Sequence, residues 1–195
     1  LAAGLGVNRG DTSDRRSLLI VGGAGGVGSI AIQLARKLTG LNVIATASRP
    51  ETQQWVRALG AHHVVDHSRP LDAEIKAAKL PVDLVFSVTG TDDHHAAIAD
   101  IMTPQGRFGV IDDPKSFDAL KFKPKSIAVH WESMFTRAVF ATPDMIEQHR
   151  LLNEVAGMVE RGENETTLAE NLGTINAANL TTAHGRIESG PARGK

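Results

Sequence analysis

The sequence has no cysteine among its 195 residues. Without thiols there is no disulfide framework, no thiolate nucleophile and no thiolate zinc site, and the expected location is the reducing cytoplasm. An excess of one charge is also missing, since 21 Lys and Arg oppose 22 Asp and Glu. Broad attraction to nucleic acid or anionic lipid is therefore not expected, and bulk charge points to a small-molecule partner. No apolar run approaches membrane-spanning length and no signal peptide is visible, so the chain reads as soluble, with no membrane partner. Low-complexity segments and internal repeats are absent as well. What is present, 42% hydrophobic and 22% charged residues, is an ordinary balance for one compact domain with its own core.

The most informative stretch lies near the start. Ser17 to Val21 is apolar and runs directly into Gly22-Gly23-Ala24-Gly25-Gly26-Val27-Gly28, and a helical apolar pattern follows from Ile30 to Leu38. Strand, glycine turn and helix in this order are the context that a dinucleotide-binding turn requires. Gly23 is expected to allow the tight turn, Gly25 to let a pyrophosphate approach the backbone, and Gly28 to let helix and strand pack closely. Unpaired N–H groups and the positive dipole end of the helix would face the phosphates. A glycine-rich turn without a ligand is the plain alternative.

The pattern then alternates. Strands are expected at Asn42–Ala47, His63–Asp66, Val82–Val88, Gly106–Ile111 and Ser126–Trp131, and helices at Pro50–Leu59, Leu71–Ala78 and about Asp92–Met102. The continuous apolar run Val82–Val88 suits a strand buried on both faces. Such alternation predicts an α/β fold, a Rossmann-type doubly wound parallel sheet of six strands with helices on both faces. Two further helices are expected at about Pro143–Arg161 and Ala177–Ser189. The chain opens on Leu1 rather than methionine and stops at Lys195 just after a helix, so residues 1–195 are expected to be one domain of a longer protein.

The end of the second strand bears on the choice of cofactor. An acidic residue there would accept hydrogen bonds from the ribose hydroxyls of NAD, but Ala47-Ser48-Arg49 stands in its place. Ser48 can donate a hydrogen bond to a 2′-phosphate and Arg49 a charge-assisted one, which favours NADP(H). Alternatively Ser48-Arg49-Pro50 caps the second helix and leaves Arg49 in solvent. Missing residues weigh against other nucleotide folds, of which a methyltransferase stays a competitor. No lysine follows Gly28, against a Walker phosphate loop. The absence of tyrosine speaks against a short-chain dehydrogenase, while an S-adenosylmethionine-dependent methyltransferase would want an acid after the second strand.

With the glycine turn, Arg57-Ala58-Leu59-Gly60-Ala61 closing the second helix and Gln105-Gly106-Arg107-Phe108 before the fifth strand, the chain resembles the medium-chain dehydrogenase/reductases. Within them it resembles the zinc-type alcohol dehydrogenase-like and quinone oxidoreductase branch. The likeness runs from about Leu18 to Lys195, and Gly190–Lys195 resembles the lead-in to the family's last strand. The resemblance implies a barrel-like substrate domain upstream and a last strand downstream, both outside this sequence. It places the pyrophosphate on Gly23, Ala24, Gly25, Gly26, Val27 and Gly28, and the 2′-phosphate beside Ser48 and Arg49. His67 matches a position where some relatives hold a tyrosine next to that phosphate. Val88, Thr89 and Ile111 match positions lining the nicotinamide, and the loop Trp131–Phe135 is expected to close near the ring. Relatives often dimerise through the sixth strand, so a homodimer is expected.

No catalytic acid or base and no zinc ligand can be named in this chain. Zinc-dependent relatives take their catalytic ligands from the substrate domain, and the other branch has none, so zinc in the parent stays open. Asp92 and His95 share a helical face, but two aspartates at a helix start are ordinary dipole partners and both His94 and His95 are expected to be exposed. His62, His63 and His130 read as strand-edge or packing residues. Glu51 with Trp55, and the pattern Met145, Ile146, Leu152, Val155, Met158, Val159, read as packing. The expected activity of the parent is hydride transfer between NADPH and a carbonyl, enone or quinone. The competing reading is a Rossmann module that senses NADPH or serves as a dimer scaffold without turnover.

Overall fold

The computed structural model describes residues 2–189, Arg193 and Gly194. The rest of the segment Gly190–Lys195, expected to lead into a last strand, lies outside the described residues. In chain order the elements are α1 (Ala2–Leu5), β1 (Ser17–Val21), α2 (Gly26–Leu38), β2 (Asn42–Thr46), α3 (Pro50–Ala58), β3 (His63–Val65), α4 (Leu71–Ala78) and β4 (Leu84–Ser87). There follow α5 (Thr91–Ile101), β5 (Arg107–Val110), a 3₁₀ turn at Ala119–Lys125, β6 (Ala128–Trp131), α6 (Thr136–Val139), α7 (Ile146–Glu160) and α8 (Ala177–Glu188). α1, α6 and the 3₁₀ turn are too short to leave a periodic signal. α2 starts at Gly26, one turn before its apolar pattern begins, because the glycines themselves form its first turn.

The strands form one parallel sheet in the order β3-β2-β1-β4-β5-β6. Successive residues of β1 point to opposite faces, as strand pleating dictates. Leu18 and Ile20 join Val43, Ala45, Leu84 and Phe86 against Ala31, Ile32 and Ala35 of α2 and Val56 of α3. On the other face, Leu19 and Val21 join Ile44, Val85, Phe108 and Val110 against Leu71 and Ile75 of α4 and Ile98 and Ala99 of α5. All five residues of β1 are buried, which is why its run is apolar throughout. The strand order reverses between β1 and β4, opening a crevice beyond their carboxyl ends.

The C-terminal helices depart from expectation. Of the pattern read as packing in α7, Met158 is buried, but Met145, Ile146, Leu152 and Val159 are exposed. Helical periodicity reports an apolar face without saying what covers it, and among the described residues no element covers these side chains. Trp131, Met134, Phe135, Val139 and Phe140 continue the exposed apolar surface. No helix among the described residues is long and apolar enough to cross a membrane.

Candidate functional site

The turn between β1 and α2 stands at the mouth of that crevice. The tight turn belongs to Gly22, whose φ is +81°, rather than to Gly23. A side chain at Gly22 would also meet Val88 and Thr89, whose Cγ2 atoms lie 2.8 and 2.7 Å from the place of its Cβ. Gly23 is needed for a different reason, because its Cβ would stand 2.9 Å from Ala45 Cβ in β2. A Cβ at Gly28 would come within 2.7 Å of both Gly23 Cα and Gly23 O and closer still to Gly22 O. Gly28 thus packs against the turn's own backbone. Gly25 differs from these, since its Cβ would meet only Gly22 O at 3.7 Å and otherwise open space.

Gly25 caps α2 without any side-chain hydrogen bond. The first amides of the helix have no acceptor within it, so they and the dipole face an open surface suited to anionic oxygens. Val27 beside them is exposed, and Ala24 is partly buried. From the sheet, Thr46 Oγ1 accepts a 2.9 Å hydrogen bond from Gly22 N and fixes the turn to the end of β2. Two contacts gave no sequence signal. Gly194 N donates to Ala24 O at 2.8 Å and Gly194 bridges to Gly25, while Trp55 Nε1 donates to Ser29 Oγ at 2.8 Å. Trp55 packs against the core as expected, but Glu51 turns to Arg49 instead.

Ser48 and Arg49 follow β2, and both are half-buried. The segment does cap α3, but through Arg49 rather than Ser48, and Arg49 is half-buried rather than in solvent. The residue at the N-cap of α3 is Arg49, whose N–H donates to Thr52 Oγ1 at 3.2 Å, and its Nε pairs with Glu51 Oε1 at 2.9 Å. His67 lies two residues beyond β3 and faces His94 from the first turn of α5, with ring centroids 6.3 Å apart. Burial, with His94 and Arg49 nearby, pushes the His67 imidazole below its ordinary value, against a weaker opposing pull from Asp66. His94 is half-buried and His95 buried, so both correct the expectation of exposure. His95 Nδ1 lies 3.2 Å from Thr91 O and 3.0 Å from Asp92 O, and its ring packs beside Phe117. Asp92 is occupied elsewhere, accepting from Ser116 N at 2.7 Å.

β4 ends at Ser87 and β5 at Val110, so Val88, Thr89 and Ile111 occupy the loops directly beyond. Val88 and Ile111 pack with Ala24 onto the same core cluster, which brings three of the residues picked from sequence together. Beneath them runs a polar chain that sequence reasoning missed. Ser87 Oγ and Thr91 Oγ1 are 2.7 Å apart, and Asp112 accepts from Thr91 N at 3.0 Å and from Thr91 Oγ1 at 2.5 Å. A carboxylate from beyond β5 therefore caps α5. The 21-residue separation hides the partnership from any local pattern. Trp131 meets Phe117 edge-on at 5.4 Å. Among the described residues no group of three His, Cys, Asp or Glu could hold a metal ion.

Comparison with known proteins bears on this geometry. Residues 26–154 match the family described as zinc-binding dehydrogenase. A zinc-type alcohol dehydrogenase-like protein of Staphylococcus aureus is 36% identical over 94% of this chain and 55% of its own length. A crystal structure from Rhizobium etli CFN 42, described provisionally as a zinc-dependent alcohol dehydrogenase, superposes with a TM-score of 0.87 at 58% identity, over 95% of this chain and 56% of its own. The quinone oxidoreductase of Escherichia coli, solved with NADPH, shares the fold with a TM-score of 0.76 at 22% identity, over 92% of this chain and 55% of its own. The chain spans about half the length of the curated relatives it matches.

Proposed function

The chain belongs to the zinc-binding dehydrogenase family, and from that premise we propose that it is the NADP(H)-binding part of an oxidoreductase. The single observation that carries this reading is the open backbone at Gly25, set at the reversal of strand order among glycines that admit no side chain. Amides at the start of α2 would hold the pyrophosphate, and Ser48 and Arg49 would hold the 2′-phosphate, with no carboxylate at the end of β2 to repel it. The Arg49 pairing with Glu51 is exposed enough to exchange partners, since surface ion pairs contribute only about 0–1 kcal/mol.

Bound there, the nicotinamide supplies hydride chemistry. Val88, Thr89 and Ile111 would form the wall on which the ring lies, orienting one face and excluding water from it. Asp112 and Thr91 keep that wall in place. In the whole protein, on this reading, a separate substrate domain presents a carbonyl, enone or quinone to the exposed face, and a second copy pairs through the β6 edge. The family's name implies zinc, but the residues described here do not fit a metal centre, and no step is routed through one.

Titrating the chain with NADPH and NADH tests the reading. NADPH is expected to bind at least about tenfold more tightly, a difference of about 1.4 kcal/mol, and Arg49→Ala to remove most of it. Equal affinities in the parent would refute the role given to Ser48 and Arg49. A non-catalytic NADPH sensor would show the same binding, and the distinction lies in turnover by the whole protein.

A further inference from the structure

We infer that His67 and His94 act together as a proton-dependent clasp for the phosphate that distinguishes NADP(H) from NAD(H), so that the preference between the two follows pH. The inference rests on the cofactor reading above and adds its regulation. The two imidazoles come from separate elements, His67 from beyond β3 and His94 from the first turn of α5, and meet edge to face at an interplanar angle of 78°. Nδ1 of His67 is shielded from solvent and has no hydrogen-bond partner among the described residues. A shielded polar atom of this kind is unfavourable unless something completes it, and an anionic oxygen would do so.

The charges around the pair favour an anion. Acting on His67 are His94 from α5, Arg49 from the β2–α3 connection, and Asp66 beside it in the chain. Asp66 is committed to its own loop, accepting from Ser68 N at 2.9 Å and Ser68 Oγ at 2.7 Å, with Arg69 Nε at 3.7 Å. Arg49 is already matched by Glu51. The His67 imidazole is therefore the group whose charge a bound anion can still change. Burial above all, with His94 and Arg49 nearby, disfavours the His67 proton before binding. A dianionic phosphate placed against the pair reverses that balance, and binding draws a proton from solution.

The sign follows. Lowering the pH supplies that proton and strengthens binding of the phosphorylated cofactor, while NADH, lacking the phosphate, is indifferent. The gain ends near pH ~6, where the phosphate itself begins to protonate. Calorimetric titration of the chain with NADPH, NADH and 2′,5′-ADP at pH ~6 and ~8, in two buffers of different ionisation enthalpy, reads both affinity and proton uptake. Expected is a rise of about fivefold in the NADPH to NADH affinity ratio from pH ~8 to ~6, with uptake averaging about a third of a proton over that interval, by NADPH and 2′,5′-ADP only. His67→Gln and His94→Gln keep hydrogen-bonding capacity without ionising, and each is expected to flatten the pH dependence. A ratio above unity that ignores pH and both substitutions overturns the clasp and leaves the cofactor reading intact. A ratio of unity at both pH values overturns both. Should either variant fold poorly by circular dichroism, proton uptake by the parent chain still decides.

Discussion

Two glycines three residues apart in the same turn, Gly25 and Gly28, answer to different constraints, and a pair of substitutions separates them. In Gly28→Ala the new Cβ would stand 2.7 Å from Gly23 Cα and O, and neither backbone atom can swing aside. The turn must move by several tenths of an ångström, and overpacking of this kind costs about 1–3 kcal/mol. Replacing a helical glycine returns up to about 1 kcal/mol, so a net loss of about 1–2 kcal/mol remains. For a chain of this size that lowers Tm by about 2–8 °C. Gly25→Val makes no such contact, since Gly25 has an extended backbone (φ −72°, ψ 175°) open to any residue and its Cβ would meet one atom at 3.7 Å. Its Tm is expected to stay within about 2 °C of the parent, while on the proposed reading NADPH affinity falls at least about 100-fold, or 2.7 kcal/mol, because the side chain would fill the space proposed for the pyrophosphate. Thermal melts by circular dichroism and calorimetric titration give both quantities. Gly25→Val that binds as tightly as the parent would refute the reasoning at its base.

Other substitutions probe the surroundings. Glu51→Gln releases Arg49 from its 2.9 Å partner and should tighten NADPH about two- to fivefold without changing NADH, and an unchanged NADPH affinity would show that the pair does not compete with the phosphate. Asp112→Ala strips both bonds to Thr91 and should lower stability in urea by about 2–3 kcal/mol, against less than about 0.5 kcal/mol for the exposed Asp113→Ala control. His62 gives a pH test of the fold. Its Nδ1 accepts a 2.8 Å hydrogen bond from Val43 N, and burial, with Arg36 and His63 nearby, lowers its proton affinity. Because the folded value lies below the unfolded one, this contribution is complete above pH ~6.5 and lost as pH falls below it. The parent's Tm should therefore drop more steeply than that of His62→Gln between pH ~7 and ~5.5, and parallel curves would contradict the bond's importance.

The sheet was legible because each buried strand carries its own apolar run and each glycine its own steric demand. β1 could be read residue by residue, and so could the position of the turn. Which glycine does what was harder, because Gly22 and Gly23 are told apart by the left-handed backbone that Gly22 alone adopts and by what approaches them: the methyls of Val88 and Thr89 for one, the side of β2 for the other. Those neighbours lie far off in sequence. The Asp112 cap and the meeting of His67 with His94 were hidden for the same reason, each joining elements that only the folded sheet brings together. α7 failed differently. Its apolar spacing was correctly recognised, yet spacing records appetite for a partner and not the partner's presence.

α5 is held at both ends by the connection between β5 and β6. Asp112 grips its first residue, while Lys125 Nζ reaches the carbonyls of Ala99, Asp100 and Met102 at 3.0, 2.7 and 2.9 Å around its last turn. Each charge opposes the helix dipole at the end where it sits. Such a doubly pinned rod resists sliding or tilting on its own, which makes α5 a fixed post beside the crevice.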